Sequence, residues 1–402
     1  MDRRRCGRNR LLGAARRADA DRARGRPRLP AVRVRAPGGF GAGAAARRSE
    51  DLPTGAGRHP VAAVRAGLGG GDRGRRSQGK LRERNTSARE PAGLVQTVRG
   101  PVPAADIGFT LPHEHTAIAL WHIPNRWDYW ELSRDEEIAA AELARFRAAG
   151  GSSLVDLTLP GVGRDPARLA GLSEQTGLHI VMGAGWYRGA YYPAEALIDR
   201  RSVDDLASEL IREATDGVAE TGIKPGIIGE VGTDKPWVSA LEERVHRAVA
   251  RAARQTGLAI TTHSVMSPVG LDQLRLFEEE GMDPSRVVIG HADSYPSLDY
   301  YLEIVGRGAN LEFDFLGMSF TPMERHGEGR IVELLCELLA RGHADRVLLS
   351  QDVCHNGQLT RYGGHGYTYL QETFLPRVRD AGASDSEIEQ ITVGNPRRIL
   401  AR

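Results

Sequence analysis

From Val95 onward the chain repeats one pattern: a short apolar run rich in β-formers, then a longer stretch of helical period. The runs are 107–111 (IGFTL), 153–159 (SLVDLTL), 178–184 (LHIVMGA), 226–231 (GIIGEV), 258–262 (LAITT), 286–290 (RVVIG), 309–315 (ANLEFDF) and 346–350 (RVLLS). Segments of helical character, among them 134–149, 202–220, 238–256, 269–280 and 329–341, lie between them. Strands alternating with helices are the signature of βα units and a parallel sheet. Eight such units fit a closed (β/α)8 TIM barrel, whose typical length of about 250 residues this segment can supply. An open doubly wound sheet is the competing arrangement, but no Gly-x-Gly-x-x-Gly follows the first run.

The first part of the chain is a different polymer. Residues 1–100 carry 25 Lys and Arg against 8 Asp and Glu, so of the chain's 54 and 52 the rest holds 29 against 44. A net charge of +2 therefore hides a basic segment of +17 joined to an acidic one of −15. Residues 1–94 are Arg, Ala, Gly and Pro with Phe40 as the one aromatic, and they lack sustained periodicity. Such a segment buries too little apolar surface to offset its ordering entropy, so a disordered N-terminal extension is expected, with the barrel over 95–402. It reads as a non-native start upstream of Val95, as a solvated tail, or as a basic arm for nucleic acid. The last is the alternative function: a nucleic-acid-binding protein using the barrel as a scaffold. Acidic residues within the segment (Asp19, Asp21, Glu50, Asp51) argue against a targeting peptide. The three cysteines, Cys6, Cys336 and Cys354, make no disulfide framework, and no apolar run is long enough to span a bilayer. A cytoplasmic protein without membrane partners is expected; a homodimer is admissible, and the oligomeric state is left open.

In a parallel barrel, functional residues sit at the C-terminal strand ends and the loops beyond. Those ends hold His113 and His115, then Glu230, His263, His291 and Asp352. Residues i and i+2 of a strand share a face, so His113 and His115 can aim at one point. A single strand-end histidine is ordinarily a hydrogen-bonded turn residue. Four imidazoles and two carboxylates on one rim instead supply ligands for two divalent ions, with Zn2+ the expected metal. The other eight histidines follow no such pattern.

The segments GFTLPHEH, GIIGEVGTDKP, TTHS, VVIGHADS and LLSQDV, in that order, resemble the phosphotriesterase family of the amidohydrolase superfamily over essentially all of 95–402. Glu230 within Gly229-Glu230-Val231-Gly232 is similar to the phosphotriesterase homology and phosphotriesterase-related proteins. The phosphotriesterases proper and the lactonases carry a carboxylated lysine on this strand instead. The resemblance implies that His113, His115 and Asp352 hold a more buried metal, that His263 and His291 hold a more exposed one, and that Glu230 bridges the two. Two divalent ions about 4 Å apart can share a water and bring its pKa toward about 7. The resulting hydroxide would attack a small-molecule substrate while Asp352 accepts the proton.

Around this set, Trp186 and Tyr187 follow the third strand and either wall a substrate pocket or pack the rim; Tyr187 falls where the lactonases carry a tyrosine near their metals. The Gly-rich loop after the eighth strand holds Arg361, which can bind a substrate carboxylate or make a solvent-exposed ion pair. Cys354, two residues past Asp352, reads as packing. Phe315 stands where phosphotriesterases have a relay histidine and lactonases an arginine. Together with Glu230, it turns the expectation from phosphotriesters toward a carboxylic ester, a lactone or an N-acyl amide.

Overall fold

The computed structural model describes residues 93–123, 130–219, 221–318 and 327–402. Residues 1–92 lie outside them, and with them nearly all of the segment in which a basic, disordered extension or nucleic-acid arm is expected. The described chain opens with an antiparallel hairpin, Leu94–Thr97 against Gly100–Pro103.

Eight parallel strands follow: β1 (Thr110–Glu114), β2 (Ser153–Asp156), β3 (His179–Ala184), β4 (Ile227–Gly232), β5 (Ile260–His263), β6 (Val287–Gly290), β7 (Asn310–Phe313) and β8 (Val347–Leu349). Each pairs with the next in sequence order. The seven crossovers contain helices α1 (Glu136–Ala148), α2 (Pro166–Thr176), α3 (Val203–Asp216), α4 (Ala240–Thr256), α5 (Gly270–Glu279), α6 (Leu298–Gly306) and α7 (Gly327–Ala340). The chain forms the expected (β/α)8 barrel. Local chemistry sets the helix ends. Ser202 with Asp205 and Ser239 with Glu242 form capping boxes on α3 and α4. Gly177 and Gly257 end α2 and α4 in the left-handed conformation.

The first and last strands meet through side chains. The Ser350 hydroxyl accepts the His113 backbone N–H at 3.0 Å and donates to the His113 carbonyl at 2.8 Å. Asp352 N–H donates to the same carbonyl at 3.2 Å. Glu114, fully buried between the two strand-end histidines, accepts from the Ser350 hydroxyl and the Gln351 and Val353 N–H groups at 2.7–2.9 Å. It locks the β8 loop onto β1.

Two apolar layers flank the strands. Inside the barrel, toward the strand N-termini, Val155, Val181, Ile227, Val288 and Leu348 pack with Val95 of the hairpin and with Ile399 and Leu400 of the C-terminal helix Asn395–Leu400. The larger layer lies between strands and helices. Strict alternation fails at two strands. In β4, Ile227 faces the interior and Ile228 the helices, yet Glu230 faces inward and Val231 outward. The pairing with β5 shifts register between Ile228 and Val231, and such an irregularity changes which face the following side chains occupy. Gly229 makes room: its φ is +129° and an added Cβ would lie 2.2 Å from the Thr261 carbonyl oxygen. A similar shift between Leu111 and Glu114 turns His113 inward. The first run differs from expectation accordingly. Its strand is 110–114 rather than 107–111, because Ile107 is drawn into the lower core beside Val95.

Candidate metal centre

At the C-terminal ends of the strands, six side chains from five strands converge. His113 Nε2 and His115 Nε2 lie 3.9 and 3.2 Å from Asp352 Oδ1. His263 Nδ1 and His291 Nε2 lie 2.9 and 3.3 Å from Glu230 Oε2 and 2.8 Å from each other. Glu230 reaches the first group as well, with Oε2 3.5 Å from His113 Nε2 and Oε1 3.5 Å from His115 Nε2. His113/His115/Asp352 and Glu230/His263/His291 each bring three ligand atoms within 4.8 Å of one another. All six residues are buried.

Hydrogen bonds behind the imidazoles decide which nitrogen faces the centre. Asp314 Oδ2 is 2.9 Å from His113 Nδ1, and its Oδ1 is 2.8 Å from His291 Nδ1. A carboxylate only accepts, so His291 carries Nδ1–H and aims Nε2 inward, whereas the His113 contact is an ion-pair approach without hydrogen-bond geometry. The Thr158 hydroxyl donates to the Ala117 carbonyl at 3.0 Å and accepts from His115 Nδ1 at 2.9 Å, which fixes the same tautomer. His291 (φ +54°) and Asp352 (φ +45°) are two of four non-glycine residues with positive φ among those described. Strain of this kind collects at functional sites. Here the His291 N–H is tied to the Asp314 carboxylate at 3.0 Å, and Asp352 to the His113 carbonyl.

The electrostatics follow from packing acids against bases away from water. Burial opposes charge on His113, but Glu230 and Asp314 outweigh it and raise its pKa well above the ordinary range. His115 is likewise raised to about 9 against its burial by Asp352 and Glu230, and His291 to about 10 by Asp314. His263 goes the other way, to about 4, through burial and then the charge of His291. Glu230 resists burial and is held well below the carboxylate range, chiefly by His113. His113 Nε2 and Asp352 Oδ1 are nevertheless buried without a hydrogen-bond partner. Two buried ligand-type atoms, aimed into one spot among imidazoles and carboxylates, fit divalent cations that displace the imidazole proton.

Sequence comparison places the chain in a family. Residues 93–400 match the Phosphotriesterase family. The chain belongs to the phosphotriesterase family. The phosphotriesterase homology protein of Escherichia coli is 35% identical over 296 residues, covering 73% of this chain and 98% of that one. The N-acetyltaurine hydrolase of Rattus norvegicus is 31% identical over 345 residues, covering 77% and 98%. A solved resiniferatoxin-binding protein from Rhodobacter sphaeroides superposes with a TM-score of 0.72 at 34% identity, covering 77% of this chain and 95% of that one.

In this member of the phosphotriesterase family, a small cavity of about 40 Å³ opens over the cluster. Tyr187 lines it, with its hydroxyl 3.4 Å from His263 Nδ1. Trp186 is buried in the layer beneath the helices and is not among the lining residues. Arg361 is exposed on the turn Thr360–Tyr362, also away from the lining, where its N–H donates to Glu142. Phe315 stacks on the His291 ring, centroids 4.3 Å apart and planes at 8°, and faces the cavity. Cys354 is buried beside Asp352, and burial pushes its thiol well above the usual range. Lys235 projects over Trp237 at 5.3 Å from the ring centre. Three residues that matter to the site were not singled out from sequence: Asp314, Thr158 and Glu114. Asp314 and Glu114 had the signal used for the others, an acidic residue at a strand end. No helix among the described residues is long and apolar enough to cross a membrane.

Proposed function

We propose that the chain is a binuclear metal-dependent hydrolase of small acyl compounds: esters, lactones or N-acyl amides. The observation that carries this reading is the pair of three-residue groups joined by Glu230 at the floor of the cavity. His113, His115 and Asp352 would hold one divalent cation, His263 and His291 a second, and Glu230 would be shared, with Zn2+ the metal that suits this donor set. Divalent cations supply Lewis acidity toward a carbonyl or phosphoryl oxygen and make water acidic enough to lose a proton near neutral pH.

The chain's own residues do the rest. Asp352 carries an oxygen that faces the cluster and lines the cavity, so it accepts the proton lost by water and returns it to the leaving group. Asp314 and Thr158 keep His291 and His115 in the tautomer that leaves Nε2 open, and Asp314 also lies against His113 Nδ1. Tyr187 places a hydroxyl beside His263, within reach of a substrate oxygen. Ile118, Leu120, Trp130, Val265 and Phe315 form apolar lining that takes an acyl chain and excludes bulk water. Phe315 cannot relay a proton, which favours carboxylic substrates over phosphotriesters. The N-acetyltaurine hydrolase relatives weigh toward an amide. The testing experiment is elemental analysis of the purified protein alongside turnover of a panel of lactones, aryl esters, phosphotriesters and N-acyl amino acids. About two divalent ions per chain, with a carboxylic substrate best, is the expected result; a metal-free or phosphotriester-selective protein would overturn it.

A further inference from the structure

One buried acid beneath the candidate metal centre has no task in the chemistry proposed above. Glu312 lies on β7 two residues before Asp314, and both carboxylates face His113. It is 1% exposed. Its Oε2 sits 3.5 Å from His113 Nδ1, and the Thr261 hydroxyl of β5 donates to the same oxygen at a long 3.5 Å. Its Oε1 has no hydrogen-bond partner. The carboxyl borders an interior cavity of about 10 Å³ lined largely by the lower core, with Val155, Ile227, Val288 and Leu348 among its walls. An acid set among aliphatic side chains with so few donors works against the fold. Departures of this kind are expected where a site needs them. Asp314 does not hold His113 by itself. Its two oxygens accept the His291 N–H at 3.0 and 3.1 Å and His291 Nδ1 at 2.8 Å, and it meets His113 Nδ1 only as an ion-pair neighbour.

We propose that Glu312 is a positioning residue for His113. With Asp314 it holds the Nδ1 edge of the ring, so that Nε2 stays aimed at the spot shared with His115 and Asp352. This rests on the metal-dependent reading above. An imidazole that gives its Nε2 lone pair to a cation becomes more positive at Nδ1–H, and an acid behind it then gains a better partner and makes the ring a stronger ligand. Asp314 is largely committed to the ring and backbone of His291, whereas Glu312 has only Thr261 besides His113. Glu312 is not among the residues lining the cavity over the cluster. It therefore acts on His113 and not on a substrate.

The test uses the full chain with two substitutions. Glu312→Met keeps the length of the side chain and removes both oxygens, while Glu312→Gln keeps a carbonyl oxygen that can accept from Nδ1–H. In the zinc-loaded protein, Glu312→Met should surrender metal at a chelator concentration about 10-fold lower than wild type, since partners behind metal-bound histidines are worth about 10–100-fold. Glu312→Gln should lose less. With the metal removed, Glu312→Met should melt no lower than wild type, because an apolar side chain suits that layer at least as well. A residue that only supported the fold would give the opposite sign in melting. A further readout needs no metal: proton NMR of the imidazole N–H groups in the metal-free chain, with His113→Asn identifying the His113 signal. That signal should broaden or vanish through faster solvent exchange in Glu312→Met and persist in Glu312→Gln, while the His291 signal stays in both. Zinc retention equal to wild type in Glu312→Met, or lower melting of its metal-free form, would overturn the assignment and leave the metal-dependent reading intact. A wild-type chain that binds no zinc would instead sink the metal-dependent reading, and the His113 signal would still decide whether Glu312 holds the ring.

Discussion

Replacing Asp314 by Asn tests the centre without touching any of its six converging side chains. Asp314 is fully buried, accepts from His291 Nδ1 at 2.8 Å and from the His291 N–H at 3.0 Å, and lies 2.9 Å from His113 Nδ1 as an ion-pair partner. An asparagine of the same shape offers one carbonyl oxygen and one NH2. One of the two imidazoles must then face a donor with its own N–H, and it turns away or changes tautomer. His113 and His291 also form a three-residue group with Asp314 itself, and each belongs to one of the two proposed metal positions, so one substitution should loosen both. Partners behind metal-bound histidines are worth about 10–100-fold in affinity, and an unsatisfied buried N–H costs about 1–3 kcal/mol of stability. The assay is retention of zinc during titration with a chelator, followed by elemental analysis, with thermal unfolding in parallel. The chelator midpoint should fall about 10-fold or more, with bound metal dropping below two ions per chain. A midpoint and stoichiometry equal to wild type, in a folded variant, would refute the orienting role of Asp314 and weaken the metal assignment itself.

Glu230→Gln should hold at most one ion tightly, and metal uptake by the wild-type apo-protein should not depend on bicarbonate, since Lys235 lies over Trp237; bicarbonate-dependent loading would return a carboxylated lysine to the centre. Asp352→Asn should reduce kcat about 100-fold or more while some metal stays bound, and near-full turnover at neutral pH would remove it as the base. Truncation before Gly93 should leave melting unchanged, whereas truncation before Gly100 should destabilise the barrel, because it removes buried Val95 and the paired Leu94–Arg402 hydrogen bonds; equal melting of the two would count against the hairpin as a seal. Glu280 accepts from Arg251 and Arg247, which hold its carboxyl below the ordinary value. Its contribution is therefore present above an unfolded pKa of about 4.3 and lost as pH falls through the folded value. Glu280→Gln should lower Tm at pH 7 and converge with wild type once the pH has fallen through the depressed folded value; a constant gap would show that the effect is not ionic.

The apolar runs announced the barrel because each inner strand must be covered on both faces, which leaves a run of β-formers whatever the surroundings. Boundaries were less legible. The bulge after Leu111 and the descent of Ile107 into the lower core depend on the chain's two ends meeting, which no local window contains. The hairpin at Leu94 carried too few apolar residues to register. Ligand-type residues at strand ends stood out because a parallel barrel gathers those ends. Glu114 and Asp314 share that position, but their roles, like that of Thr158, show only through partners from other segments.

Ser350 and Asp352 hold the backbone of His113 across a sequence separation of 237 residues for the serine bonds. Closing a loop that long costs about 5 kcal/mol by chain statistics, beyond a constant term. A chain still being synthesised has His113, His115 and Glu230 long before it has Asp352, and the cradle for His113 does not exist until the end has emerged. On the proposed metal assignment, cation capture would follow synthesis, at the step where the two ends join. A defect at the C-terminus would surface first as a protein that folds in part and cannot be charged with metal.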